Sequence, residues 1–348
     1  MTPGAVLPPF VTPDAPLPTW FGVGGGADLL ARPQTEDDLR TCLAIDDDLV
    51  VLGDGANLLV DDGGVGGLVV ELDAPAFGAV DWPETGAPDA IVTVGAGVNL
   101  PRLINEATRR GLGGLEVLVG IPASVGGAVV MNAGGAFGAI ADTVLRVHAI
   151  DRAGREQVFD RSRIEFGYRA SGLRHLIVTR VELLLRKDDP ARVRERLMEC
   201  MAYKKRTQPL GDDSAGCVFK NPTLEADLTD IGVQGERVSA GLLLDRAGCK
   251  GMRVGGAEVS GLHANFFTTD KGARARDVID LIAQARRRVL DAFGVRLERE
   301  VVIWTRHREA WRESQRRPAP PPARPRSRAA ALGLGFSPRL NLCPALAL

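Results

Sequence analysis

The chain has 348 residues, 45% of them apolar, enough for two or three domains with a substantial buried core. A formal net charge of −1 argues neither for nucleic acid nor for a membrane surface as the partner of the whole molecule. The balance is uneven: from Arg306 onward nine Arg outweigh two Glu, giving +7 there and −8 on the preceding part.

Residues 1–18 are proline-rich and read as a flexible arm. Short apolar, β-branched runs at 48–52, 67–72 and 90–94 end in glycine or acidic turn residues and predict buried strands. Residues 99–111 predict a helix with both ends marked: Asn99 as cap, Leu100, Leu103, Ile104 and Ala107 on one face, and Gly111 after the last turn. Strands are expected at 144–150, 156–159 and 176–185, and a charged helix at 190–206. A short amphipathic segment at 239–247, a strand at 263–269, a helix at 277–293 and a last strand at 296–304 complete the order. From residue 306 the composition turns to Arg, Pro and Ala, which predicts a disordered basic tail over 306–348. Strands and helices mix throughout, so the class is α+β.

Cys42, Cys200, Cys217, Cys249 and Cys343 stand singly with no CxxC pair, which fits reduced thiols in a cytoplasm and neither a disulfide framework nor a metal site. The first twenty residues hold six prolines and no Lys or Arg, unlike a secretory signal. No apolar run reaches the roughly 20 residues that span a bilayer.

Forty-one glycines are the main compositional departure. Gly22 and Gly24, Gly53 and Gly55, and Gly95 and Gly97 each begin a G-x-G, but Ala27, Leu58 and Leu100 stand where a nicotinamide fingerprint needs its third glycine. The alternative is a backbone cradle. In the turns 53–57 and 120–127, small residues let successive N–H groups face an anion without a lysine. Tight turns between strands would show the same glycines.

The segments LGDGANLLV, GLGGLEVLVGIPASVGGAVVMNAGGAFG, FGYRAS, AGCVFKNP, HANF and GVRLEREV follow one another over residues 19–305. Together they resemble the UDP-N-acetylenolpyruvoylglucosamine reductase family. The resemblance implies an FAD-binding domain of the p-cresol methylhydroxylase (vanillyl-alcohol oxidase) type over 19–186, in two α/β subdomains divided near residue 75. A substrate-binding α+β domain would follow over 187–305. It also implies FAD as cofactor, NADPH as co-substrate, and reduction of a UDP-linked enolpyruvyl sugar in peptidoglycan precursor synthesis, by a monomer with no nucleic-acid or membrane partner.

The expected FAD contacts are Gly53, Asp54, Gly55, Ala56, Asn57, Gly120, Ile121, Pro122, Ser124, Val125, Gly126, Gly127, Asn132, Ala133 and Gly134. Arg169 matches the arginine that faces the developing enolate, where a permanently charged guanidinium can grip a carboxylate. Glu300 matches the glutamate that helps stabilise the same intermediate; strand alternation alone does not separate it from Glu298. Cys217 stands where most members place a serine proton donor, and a thiol donates a proton more readily than a hydroxyl. Gln208 and Asn221 match contacts to the UDP-sugar, with His263 and Asn265 as further candidates. The run Lys204-Lys205-Arg206 could attract a nucleotide diphosphate or be the solvated face of a helix, and the solvated face is the favoured reading. The short interval from Arg169 to Leu185 leaves no room for a long tyrosine-bearing loop and points to the shorter class. Competing readings are another flavin oxidoreductase of this fold acting on a sugar or lactone, and a non-catalytic flavin-binding protein.

Overall fold

The computed structural model describes residues 6–83 and 89–306. Its first unit holds β1 (Val11–Ala15), β2 (Ala27–Ala31), α1 (Glu36–Ile45), β3 (Val50–Leu52), β4 (Leu58–Val60) and β5 (Val65–Glu71). Four of these strands form a sheet ordered β1-β2-β5-β3, in which β2, β5 and β3 run parallel and β1 is the antiparallel edge. Parallel strands are buried on both faces. On β5, Leu68 and Val70 therefore point into one core with Leu39 and Leu43 of α1, while Val69 points into another with Leu52, Leu58 and Trp304. A reciprocal cap holds the start of α1: Asp38 N–H donates to Thr35 Oγ1 and Thr35 N–H donates to Asp38 Oδ2.

The strand β1 corrects the expectation of a flexible arm over 1–18. Val11 and Ala15 are buried and pair with Ala31 and Ala27. Pro13 lacks the N–H that an inner strand needs, but an edge strand tolerates that loss, so proline richness did not exclude a strand. Residues 1–5 lie outside the described residues.

The second unit holds α2 (Pro75–Gly78), β6 (Val80–Asp81), β7 (Asp89–Gly95), α3 (Leu100–Arg109), β8 (Leu112–Gly113), a 3-10 turn at Glu116–Leu118, α4 (Val125–Val130), β9 (Gly134–Gly135), β10 (Gly138–Ala139), β11 (Val144–Ile150), β12 (Glu156–Asp160), β13 (Ile177–Lys187) and α5 (Pro190–Thr207). Its antiparallel sheet runs β12-β11-β13-β7-β6, with β8 beside the end of β13. Val181, Leu183 and Leu185 of β13 are fully buried against the apolar faces of α3 and α4. The helix α3 forms as its ends predict, with Asn99 accepting from Arg102 N–H and Gly111 following in the left-handed region. The helix α5, placed by sequence at the head of the substrate domain, packs instead on the 3-10 turn, α3 and β8. Arg196 fastens it there through Glu116 and Asp188, each at 2.8 Å. By packing, the second unit runs past residue 187 and ends after α5.

The third unit holds α6 (Ala240–Arg246), β14 (Arg253–Val254), β15 (Ala257–Val259), β16 (Phe267–Thr269), α7 (Ala275–Phe293) and β17 (Val302–Trp304). The expected strand at 263–269 starts only at Phe267, because Phe266 N–H turns back to His263 O. The expected strand at 296–304 shrinks to β17, which leaves the third unit and pairs parallel with β4. Phe21 and Leu59 accordingly share a core with Val218, Phe219 and Ile303. Arg306, counted by sequence into the tail, is fixed to Asp28 at 2.8 Å and to Gly63 O at 3.0 Å. The predicted tail beyond it, 307–348, lies outside the described residues.

Candidate active site

Three segments far apart in sequence bring one arginine, one cysteine and one glutamate together. Arg169 sits in the tight turn Gly167–Ala170 between β12 and β13, where Gly167 and Ala170 exchange main-chain bonds of 2.8 and 3.3 Å. Its φ of +55° is the left-handed conformation that this turn requires at its third residue. A non-glycine residue there costs about 1–2 kcal/mol, and Asn132 helps hold it. The Asn132 side chain donates to Gly167 O at 2.8 Å and accepts from Ala141 N–H at 3.3 Å. Asn132 was expected as an FAD contact; its side chain is instead spent on the arginine turn.

Arg169 Nε donates to Glu300 Oε1 at 2.5 Å, with both side chains largely buried. Burial holds the Glu300 carboxyl above its usual range, against the pull of Arg169 and Lys220. The choice between Glu298 and Glu300 resolves here: Glu298 is exposed and pairs with Lys220 at 2.6 Å, away from Arg169. Glu300 N–H donates to Val218 O at 2.7 Å, which sets it one residue from Cys217 across the chain. Cys217 keeps partial exposure as a residue, but its thiol is desolvated. Burial first, then the Glu300 charge, push that thiol up to about 12, opposed by Arg169 and an Asn265 hydrogen bond.

The four expected sugar contacts differ in what they are free to do. Asn265 is 2% exposed, and its amide bonds Phe219 N and O at 2.9 and 2.8 Å. It therefore clamps the segment carrying Cys217, through the Phe219 main chain and through the thiol itself. His263 is likewise structural: its Nδ1 accepts from Asn265 N–H, its ring packs on Phe266, and burial pushes its pKa down. Asn221 Oδ1 accepts from Ala240 N–H at the start of α6, while its own N–H donates to the Tyr168 hydroxyl. Gln208 ends α5 half-buried, and its side-chain amide bonds none of the described residues. The sequence reading also missed Tyr168, whose ring lies under the guanidinium groups of both Arg169 and Arg237 at 5.2 and 4.6 Å.

A dinucleotide pyrophosphate needs N–H donors that have no internal acceptor. Among the described residues, the N–H groups of Asp54, Gly55, Ala56 and Asn57 have none, and neither do those of Gly120, Ala123 and Ser124. The two turns abut: a Cβ on Gly53 would lie 2.8 Å from Ser124 Oγ. Asn99 ties them further, donating to Asp54 Oδ2 at 3.1 Å, while burial raises the Asp54 carboxyl. These donors fit the cofactor. Other expected contacts spend their amides within the chain. Val125 and Gly126 N–H donate to Val98 O and Ala96 O, Ala133 N–H to Ala128 O, and Ile121 N–H to Leu118 O. Gly127 N–H goes to Ser124 Oγ at the cap of α4, Gly134 belongs to the β9–β10 pair, and Pro122 has no N–H to give.

Comparison with known proteins agrees with this architecture. Residues 27–160 match the FAD binding domain family, and residues 208–304 match the C-terminal domain of UDP-N-acetylenolpyruvoylglucosamine reductase. The UDP-N-acetylenolpyruvoylglucosamine reductase of Syntrophobacter fumaroxidans is 42% identical over 82% of this chain and 80% of its own. That of Moorella thermoacetica is 40% identical over 82% of this chain and 90% of its own. The crystal structure of the reductase from Thermus caldophilus superposes with a TM-score of 0.68 at 39% identity, covering 82% of this chain and 96% of that one. The chain is a flavin-dependent oxidoreductase and belongs to the UDP-N-acetylenolpyruvoylglucosamine reductase family.

Proposed function

We propose that this protein reduces the enolpyruvyl ether of UDP-N-acetylglucosamine to UDP-N-acetylmuramate, with NADPH as reductant, in peptidoglycan precursor synthesis. The observation that carries the reading is the Arg169–Glu300 contact at 2.5 Å, made beside the Cys217 thiol by residues of the second and third units. FAD, when bound, supplies the hydride chemistry. The protein must supply the rest: a cation for the charge that develops next to the substrate carboxylate, and a proton for that same carbon.

Arg169 supplies the cation. Its charge does not titrate, and its planar fork suits a carboxylate. Glu300 takes Nε, which fixes the guanidinium plane and leaves the terminal nitrogens for substrate. Cys217 supplies the proton; with its thiol pushed to about 12 it stays protonated at any physiological pH. Asp54–Asn57 and the Gly120 turn would hold the cofactor pyrophosphate and ring edge, and Gln208, Asn221 and Tyr168 would line the nucleotide-sugar side. We further propose action in the cytoplasm as a monomer. All four described cysteines are free thiols, as a reducing compartment allows, and no described helix is long and apolar enough to cross a membrane.

The test is direct. The purified protein should be yellow, and it should oxidise NADPH anaerobically only when the UDP-linked enolpyruvyl sugar is added. A colourless protein that takes up no FAD, or NADPH oxidation indifferent to that sugar, overturns the proposal.

A further inference from the structure

The basic run that closes α5 is not all solvated. Lys205 and Arg206 are exposed, as expected of a helix face, but Lys204 is only 5% exposed. No described acidic side chain or carbonyl pairs with its ammonium group. The residue is buried while its ammonium keeps a narrow opening to solvent, and a largely desolvated cation without a partner is costly, so proteins normally pair it or lose it. Here it is retained, and its position says toward what. The stem lies over the Gly120 turn, where a Cβ would meet Lys204 Cδ at 3.2 Å, beside the Met201 thioether. Burial lowers the Lys204 pKa to about 8; Cys200 pulls it back up, and Arg169 is near enough for its charge to disfavour the ammonium. Arg169 is already engaged by Glu300. The Lys204 ammonium thus lies near the Gly120 turn and Arg169 with no hydrogen bond or ion pair to a described carboxylate.

We propose that Lys204 is an active-site cation whose partner is an anionic oxygen of a bound ligand, seated between the Gly120 turn and Arg169. Two ligands of the proposed reaction, on which this inference rests, could present such an oxygen there: the flavin nucleotide, and the UDP-linked enolpyruvyl sugar through its carboxylate or diphosphate.

The experiment uses the FAD-loaded full-length enzyme and its apoprotein. K204M keeps most of the stem and removes the charge, K204R keeps the charge, and K204Q is measured alongside as a second neutral variant. FAD affinity is read by fluorescence quenching on the apoprotein. The flavin midpoint potential is read by dye-coupled titration. Affinity for the UDP-linked enolpyruvyl sugar is read from the perturbed flavin absorbance without NADPH. If the oxygen belongs to the flavin nucleotide, the neutral variants weaken FAD at least tenfold or lower its midpoint potential, with sugar affinity kept. If it belongs to the enolpyruvyl sugar, sugar affinity falls at least tenfold and both flavin readouts stay. In either case K204R remains within about threefold of wild type. Neutral variants within twofold of wild type on all three readouts overturn the assignment while leaving the proposed reaction standing. A wild-type protein that binds neither FAD nor the sugar overturns both.

Discussion

Replacing Cys217 separates proton donation from every other step. Positioned general acids contribute about 10²–10⁴-fold to rate, so Cys217→Ala is expected to lose turnover by that factor. Flavin reduction by NADPH, which needs no proton from this residue, should run at the wild-type rate. Cys217→Ser restores a donor of similar size and should recover most of the activity. The burial of the thiol adds a second, quantitative signature. A thiol of ordinary pKa near 8.5 would be depleted as donor about 30-fold at pH 10. One pushed up to about 12 by burial and Glu300 is still almost wholly protonated there. The step that reoxidises the flavin should therefore show no loss from thiol ionisation between pH 7 and 10. Stopped-flow absorbance at the flavin band, recorded separately with NADPH and with the enolpyruvyl sugar, resolves the two halves. Normal sugar-driven reoxidation in Cys217→Ala, or a tenfold fall in wild type by pH 10 that Cys217→Ser abolishes, refutes the reasoning.

Other changes test the scaffold. Asn132→Ala removes bonds of 2.8 and 3.3 Å and puts alanine at a φ of +45°, so unfolding in urea should show about 2–3 kcal/mol lost. Turnover should fall with it, because the Arg169 turn loses its clamp. Asn265→Ala strands the N–H and carbonyl of Phe219 in the interior and should cost about 2–4 kcal/mol by the same measurement, without the sugar-specific loss of affinity a ligand contact would give. Cys42 is fully buried with its thiol raised to about 12, above the unfolded value. Its contribution is intact below pH 8.5 and is lost as pH rises toward 12, because only the unfolded chain releases the proton. Wild type should therefore lose up to about 1.4 kcal/mol per pH unit above 9 relative to Cys42→Ala, read by denaturation at pH 8, 9 and 10.

What could be read from the residues was periodic or capped. The helix α3 carries its signals in Asn99, four apolar residues and Gly111, and it formed where they stand. Strands β7, β11 and β13 came from β-branched runs whose burial needs no distant partner to predict. The failures are tertiary. β1 is an edge strand built from a proline-rich segment, and its pairing depends on β2, not on its own composition. The helix α4 is short and glycine-rich, so its sequence reads as a turn; it forms because Ser124 caps it and Val98 and Ala96 accept its first amides. Within the site, motif order supplied Arg169, Cys217 and Glu300, but not the jobs of the asparagines. Asn132 and Asn265 sit among ligand-facing residues, and only the structure reveals that both face main chain. Lys204 hid for a different reason: three basic residues in a row look alike until the helix places two outward and one inward.

The turn proposed to hold the cofactor and the acidic side of the site are one mechanical unit, and Asn57 joins them. Its carbonyl accepts from Val302 N–H at 3.0 Å and its side chain donates to Glu300 O at 3.3 Å. The pairing of β17 with β4 begins at the next residue, Leu58 opposite Val302. Asn57 thus ends a run of amides without an internal acceptor and at the same time fixes the backbone on which Glu300 stands. A ligand that orders Asp54–Asn57 also orders the chain leading into β17, and with it the carboxylate that sets the Arg169 plane. The third unit brings Cys217 to the same place through Val218 O, which accepts from Glu300 N–H. Cys217 and Glu300 are therefore held in register by a main-chain bond within the third unit, Arg169 joins them through its side chain, and Asn57 ties that group to the first unit.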